Sequence, residues 1–265
     1  MITDFIFDGR SLSSMGYILL MQNSEDTIEV SNMSLIDIKG ARNDRAYAAG
    51  YKYESNYTGT YTIIKDFCED PDNPDMSDEE ISEVSRWLCR KQYKWFRFVD
   101  DENNDIWHKV YITARKQMIG DSVVGMEITL HSNAPYGFSR EIISSYVCND
   151  DNSRQFKLFI NSDEEGYIYP DIEIKVLEVG NLRLRNATEG RITELKNCKA
   201  NEVIKFYGWD VQQIESTEEH DYIKDFNYKF PRLHNLYTIS ENIFESNLNC
   251  EITFKYREVR KVGLK

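Results

Sequence analysis

The chain has 265 residues, 41% of them apolar and 13% aromatic, with a formal net charge of −13. That length holds one large domain or two of ordinary size, and the charge argues against stable binding to phosphate backbones or anionic membranes. Five prolines and 13 glycines exclude a fibrous repeat, and no run approaches the roughly 18 apolar residues of a membrane span.

From the N-terminus, Ile2 to Phe7 alternate up to Asp8-Gly9, which predicts a short strand and a turn. Gly16 to Met21 has the length of a strand, and Thr27–Val30 and Ser34–Ile38 read as further strands. Residues 40–57 combine Gly40, Gly50 and several tyrosines, the pattern of a long loop or an extended hairpin; Tyr57 to Ile64 is again a strand. Residues 69–76 are acidic with two prolines, hence an exposed loop. The one clear helix follows. Ser77 is a good N-cap with Glu80 three residues on, Asp78 and Glu79 suit the positive end of the dipole, and Ile81, Val84 and Leu88 mark one face that Trp87 shares. Arg86, Arg90, Lys91 and Lys94 suit its C-terminal end. Trp95–Val99, Ile106–Thr113 and Ser122–Leu130 are predicted strands, with an acidic turn at Asp100–Asp105. Asn133-Ala134-Pro135-Tyr136-Gly137 then interrupts secondary structure, because proline restricts the residue before it and donates nothing to a sheet.

The expected domains are therefore 1–134 and 135–265. The second reads as almost all β: Phe156, Leu158 and Ile160 alternate, as do Ile172, Ile174 and Val176, and Cys250, Ile252, Phe254 and Tyr256. Leu182–Leu184, Val203–Phe206 and Tyr237–Ile239 lie between, while Phe226, Tyr228 and Phe230 alternate until Pro231 stops them. Short strands at this spacing predict a sandwich or jelly roll.

Catalytic signatures are weak. Glu164-Glu165 and Glu218-Glu219 sit in polar turns as solvated charge, and nothing sets two carboxylates across a cleft. His108, His131, His220 and His234 lack metal-ligand spacing, and no Gly-x-Ser-x-Gly elbow or phosphate loop occurs, so neither metal nor cofactor is expected. Cys68, Cys89, Cys148, Cys198 and Cys250 are odd in number and widely spaced, the pattern of free thiols in a reducing compartment. Asn186-Ala187-Thr188 matches a glycosylation acceptor, but Met1-Ile2-Thr3-Asp4 opens no secretory signal, so synthesis in the cytoplasm is expected and the acceptor is inert. Trp209, between Tyr207 and Asp210, reads first as a strand end packed on the core, with a platform for a sugar ring as the alternative.

Several segments resemble the distal tail proteins of long-tailed phages with flexible tails. Phe5–Gly9 followed by Met15–Leu19 is similar to that family's opening hairpin, and Trp87-Leu88 leading into Tyr93–Asp100 to its helix and following strand. Pro135 resembles the domain junction. Pro170–Ile174, Leu184–Gly190 and Phe230-Pro231-Arg232-Leu233 follow in the order of the C-terminal sandwich, although His234-Asn235-Leu236 replaces the usual Gly-Xaa-Asn turn. The resemblance implies a mainly β (β-rich α+β) chain. Its first domain would be a ring-forming, tail-tube-like β-sandwich with one helix, and its second a galectin-like jelly-roll β-sandwich. It implies a virion structural protein without enzymatic activity, at the tail tip. A homo-hexameric ring would join the tail tube protein to a tail-tip or tail-associated lysin-type protein, and a receptor-binding protein can dock on it. DNA would pass through the channel without specific binding, and no membrane is entered. Tyr47, Tyr51 and Tyr53 are the expected ring contacts, and Tyr207, Trp209 and Asp210 the expected sugar contacts. A lone carbohydrate-binding module and a cell-wall hydrolase are the alternatives.

Overall fold

The computed structural model describes residues 3–20, 32–39, 46–66, 74–99, 105–149, 154–236 and 239–263. The strand expected at Thr27–Val30, residues 40–45 of the tyrosine-rich segment, and most of the acidic loop and the Asp100–Asp105 turn fall outside them, as do Tyr237 and Thr238. Two compact units form, Met1–Phe138 together with Arg260–Lys265, and Ser139–Val259.

The first unit contains β1 (Asp4–Phe7), β2 (Arg10–Ser11), β3 (Tyr17–Leu20), β4 (Met33–Lys39), β5 (Ala46–Tyr53), β6 (Thr58–Lys65), α1 (Asp78–Leu88), β7 (Lys94–Val99), β8 (His108–Ile119), β9 (Ser122–Ser132) and β10 (Gly137–Phe138). Seven of these strands form one antiparallel sheet in the order β2-β1-β7-β8-β9-β6-β3. The sheet curls until Leu19 N–H, on its last strand, donates to Thr3 O beside β1 at 2.8 Å. Asp8 and Gly9 turn β1 into β2 with positive φ at both positions, the geometry that matches strand twist in a two-residue hairpin.

The helix forms where its start signals stand. Ser77 Oγ accepts from Glu80 N–H at 3.3 Å while Glu80 Oε2 accepts from Ser77 N–H at 2.7 Å, so the capping box closes. Ile81, Val84, Trp87 and Leu88 are buried against the sheet. Trp87 donates to Phe7 O at 3.1 Å and stacks on Phe5 at 5.7 Å, which satisfies the indole N–H inside an apolar site. The helix stops at Leu88, so Arg90 and Lys94 lie beyond it and reach Asp8 instead, at 4.0 and 3.5 Å. β8 runs six residues past the expected Thr113, with pairs continuing to Ile119↔Ser122; Arg115, Lys116 and Gln117 hide a strand whose far half is largely exposed.

The junction segment folds back on the first sheet. Ser132 Oγ donates to Ala134 O at 2.8 Å and accepts from Ala134 N–H, and Phe138 exchanges two backbone bonds with Trp107 at 2.7 and 2.8 Å. A Cβ at Gly137 would lie 2.6 Å from Ile106 Cγ2 and 3.0 Å from His108 Cε1, so this close approach requires glycine.

The second unit contains β11 (Ile142–Cys148), β12 (Gln155–Ile160), β13 (Gly166–Ile168), β14 (Asp171–Val176), β15 (Gly180–Asn186), β16 (Arg191–Cys198), β17 (Val203–Tyr207), β18 (Gln213–Ser216), the single-turn α2 (Tyr222–Asp225), β19 (Leu233–Asn235), β20 (Ser240–Ser246) and β21 (Cys250–Tyr256). A five-stranded sheet, β11-β21-β14-β17-β18, and a four-stranded sheet, β12-β20-β15-β16, share one core, and β13 pairs with β19 beside them. Phe156 and Phe244 from one sheet meet Phe254 of the other at 5.8 and 5.1 Å. The chain is thus mainly β, as the sequence predicts, and its second unit is a two-sheet sandwich. The alternation of Phe226, Tyr228 and Phe230 is not a strand: Phe226 follows α2 and is buried, while Tyr228 takes φ 56 and is exposed.

Candidate assembly and ligand surfaces

Among the described residues β4 and β5 pair only with each other, from Met33↔Tyr53 to Lys39↔Ala46, with a bulge after Ile36. Leu35 is 59% exposed and Ile38 60%, and Met33, Ile36, Tyr47 and Tyr51 are exposed as well. Leu35 and Ile36 are adjacent, so apolar side chains stand on both faces of the ribbon. Its base is pinned by polar contacts. Ser34 Oγ donates to Glu54 at 2.5 Å, Lys52 pairs with Glu54 at 3.0 Å, and Asn32 Nδ2 donates to Ser55 O and Oγ at 2.6 and 2.8 Å. The Ser34 hydrogen bond, then Lys52, holds the Glu54 carboxyl below the usual carboxylate range. Of the three tyrosines singled out in sequence, Tyr47 and Tyr51 stand exposed on the ribbon. Tyr53 is half-buried at its root, 6.0 Å from Tyr51 and 5.8 Å edge-on to Tyr136.

In the second unit Tyr207, Trp209 and Asp210 share the turn between β17 and β18. Tyr207 OH donates to Glu215 at 3.0 Å, and that bond raises its pKa. Asp171 accepts from Gly208 N–H at 2.8 Å and from Trp209 N–H at 3.3 Å; a Cβ on Gly208 would lie 2.6 Å from the carbonyl oxygens of Tyr169 and Pro170. Trp209 is half-buried and Asp210 exposed. Asp171 thus holds the backbone of the turn at Gly208 and Trp209, and the aromatic rings of Tyr207 and Trp209 are partly exposed.

Two polar clusters escape a reading by spacing. Glu189 and Arg232 pair through Nε and Nη2, at 3.0 and 2.7 Å, the guanidinium lies 3.4 Å from the Tyr167 ring centre, and Tyr169 OH is 3.5 Å from Nη1. This clips the β15–β16 turn to the Phe230–Leu233 segment; both are motifs that carry the family resemblance. Asn186 is buried with Nδ2 donating to Arg232 O at 3.1 Å and to Asn242 Oδ1 at 2.9 Å, so the acceptor motif has a structural job. Glu202, fully buried, accepts from Lys199 N–H at 2.7 Å and Ser216 Oγ at 2.6 Å and meets His220 Nε2 at 2.7 Å. Asp225 lies 3.5 Å from His220 Nδ1, an ion-pair distance rather than a hydrogen bond. His220 thus answers to Glu202, 18 residues away, and not to its neighbours Glu218 and Glu219.

His108 is buried and has its pKa pushed down to about 4 by that burial; His131 stacks on Tyr111 at 4.5 Å, and His234 lies 5.6 Å from Tyr167. Among the described residues no cluster of His, Cys, Asp and Glu has the arrangement of a metal site, and no helix is long and apolar enough to cross a membrane.

The model of a phage tail protein N-terminal domain matches residues 1–134, and that of a phage tail C-terminal domain matches residues 136–256. The chain belongs to this phage tail protein family and is a tail component. No curated protein matches it. Among solved structures it is similar to the SPP1 Dit (gp 19.1) protein, described as a paradigm of the hub adsorption apparatus in phages that infect Gram-positive bacteria. The TM-score is 0.62 at 9% identity, over 97% of this chain and 99% of that one. At that identity the likeness shows the fold.

Proposed function

We propose that this chain is a non-enzymatic distal tail hub. Six copies close a ring through their first units, and the ring joins the tail tube protein to a tail-tip or tail-associated lysin-type protein at the end of the virion tail. The second unit of each copy carries the baseplate or receptor-binding contacts. Assembly takes place in the bacterial host cytoplasm, and DNA later leaves through the central channel, where a net charge of −13 disfavours adhesion.

The observation that carries this reading is the β4–β5 ribbon. A two-stranded ribbon with apolar residues on both faces is marginal in water and offers unpaired edges to a neighbour. A neighbouring copy supplies a cover for the exposed Leu35, Ile36 and Ile38, and head-to-tail contacts of this kind close into a ring. The likeness in fold to a protein described as a hub points the same way.

Light scattering on purified protein, followed by negative-stain imaging, tests it. The expected species has about six times the 31.2 kDa chain mass and a central hole. Leu35→Asp with Ile38→Asp is expected to leave a folded monomer. A wild-type chain that stays monomeric at every concentration and in the presence of its tail tube protein would overturn the reading.

A second reading concerns glycans. Tyr207, Trp209 and Asp210 share one turn whose indole is only half-buried, a fit for stacking on a sugar ring. Host cell-wall saccharide should change the fluorescence of the wild type and leave Trp209→Ala unmoved; equal responses remove the turn from consideration.

A further inference from the structure

The cysteines of the second unit are not scattered once the chain is folded. β11 is the edge strand beside β21, and the register sets Cys148 opposite Cys250. Leu177 N–H donates to Asn249 O at 2.8 Å, so the polar backbone groups of Asn249 face β14. Successive residues of a strand turn these groups to alternate sides, so those of Cys250 face β11. Cys148 and Cys250 are therefore a hydrogen-bonded pair, for which the Cα atoms lie about 5.5 Å apart. That is inside the span of about 4.4–6.8 Å that a disulfide bridges.

The side chains agree with the backbone. Both are buried on the inner face of the sheet, at 1% and 0% exposure, in the core of the second unit. Ser246 Oγ lies 3.2 Å from Cys250 Sγ. The Arg154 guanidinium, anchored on Asn247 O and Asn249 Oδ1, places its charge near both sulfurs. Cys148 is held below the usual thiol range, first by the neighbouring Cys250 thiol and then, against burial, by Arg154; Cys250 is pushed up by the neighbouring Cys148 and by burial. The register puts Cys148 on the edge strand and Cys250 on the strand behind it, so the outer thiol is the one a reagent reaches first. The other described cysteines are placed differently: Cys198 Sγ donates to Leu195 O at 3.3 Å, and Cys89 lies in the first unit.

We propose that Cys148 and Cys250 form a disulfide site that stays reduced while the protein is made and closes when it meets an oxidising medium. The co-reactant is a low-molecular-weight disulfide such as oxidised glutathione. When edge strand β11 opens locally, the Cys148 thiolate attacks one sulfur of that disulfide and releases one thiolate, giving a mixed disulfide on Cys148. The Cys250 thiol loses its proton and attacks the Cys148 sulfur, which releases the second. Two protein thiols are oxidised, one disulfide is reduced to two thiols, and the new bond fastens edge strand β11 to β21. A phage tail passes from a reducing cell interior to an oxidising exterior, so the lock would close after assembly. The inference stands apart from the ring reading.

The test is to hold the full chain in oxidised glutathione and count alkylatable thiols after denaturation. A fall from five to three, with a Cys148–Cys250 cross-link in the peptide map, is the expected result. The oxidised protein should melt at least about 5 °C higher than the same sample in dithiothreitol, and this shift should vanish in Cys148→Ser. Cys250→Ser should retain glutathione as a stable adduct on Cys148. Five alkylatable thiols after oxidation, or a bridge mapped to any other pair, would overturn the assignment without reference to any variant.

Discussion

The first unit contains two long antiparallel hairpins, each with one bulge, and they are used in opposite ways. β8–β9 is built into the sheet, with β7 on one side and β6 on the other, and its inward residues Val110, Ile112, Ile128 and Leu130 are buried. Among the described residues β4–β5 has no third strand, and its aliphatic residues remain exposed. Hydrophobic alternation is similar in both. Alternation therefore says that a strand needs an apolar partner, and whether that partner comes from the same chain is decided by the strands beside it. The contrast extends to the second unit, where Phe156, Phe244 and Phe254 seal a sandwich.

Variants can break or sharpen this contrast. Phe254→Ala, at a fully buried site, should cost about 3–5 kcal/mol in urea unfolding followed in the second unit. Next comes acid. The folded pKa of His108, about 4, lies below its usual 6.5, so the neutral imidazole belongs to the folded state. The stability it contributes is complete above about pH 6.5 and is lost as the pH falls through 4, about 3 kcal/mol in all. The wild type should therefore lose about 3 kcal/mol more than His108→Leu as the pH falls from about 6.5 to below 4, and parallel curves would contradict the assignment. Ser77→Ala opens the capping box and should cost about 1 kcal/mol by the same urea measurement. Leu35→Ser on the ribbon should change unfolding by less than about 0.5 kcal/mol. If the ribbon is an interface, that variant nonetheless weakens self-association in sedimentation.

Much of the fold is legible in the sequence because local signals agree with the tertiary outcome. Ser77 and Glu80 announce the helix, and Ile172, Ile174 and Val176 announce a strand with one buried face. Other strands are not legible. β11 reads Ile-Ile-Ser-Ser-Tyr-Val-Cys, where serines stand at strand positions; Ser145 donates to or accepts from Thr253 across the pair at 2.9 Å. The far half of β8 is polar because it is largely exposed, and polar residues there carry no period. The tyrosine-rich segment is visible from composition, but the isolation of its ribbon follows only from topology. Glu202 with His220, and Glu189 with Arg232, are distant in sequence and meet only through the fold, so spacing carries no trace of them.

The boundary of the second unit has a consequence for how such a protein can change. Ser139 N–H donates to Glu258 O at 2.8 Å, and Arg257 Nη1 donates to Ser139 O at 2.8 Å, so the unit begins and finishes at one seam while the chain returns to the first unit at Arg260. A module with its two ends side by side is a cassette. It can be exchanged for another of different size or surface with little extra loop to close, and the sheet that remains need not be re-registered.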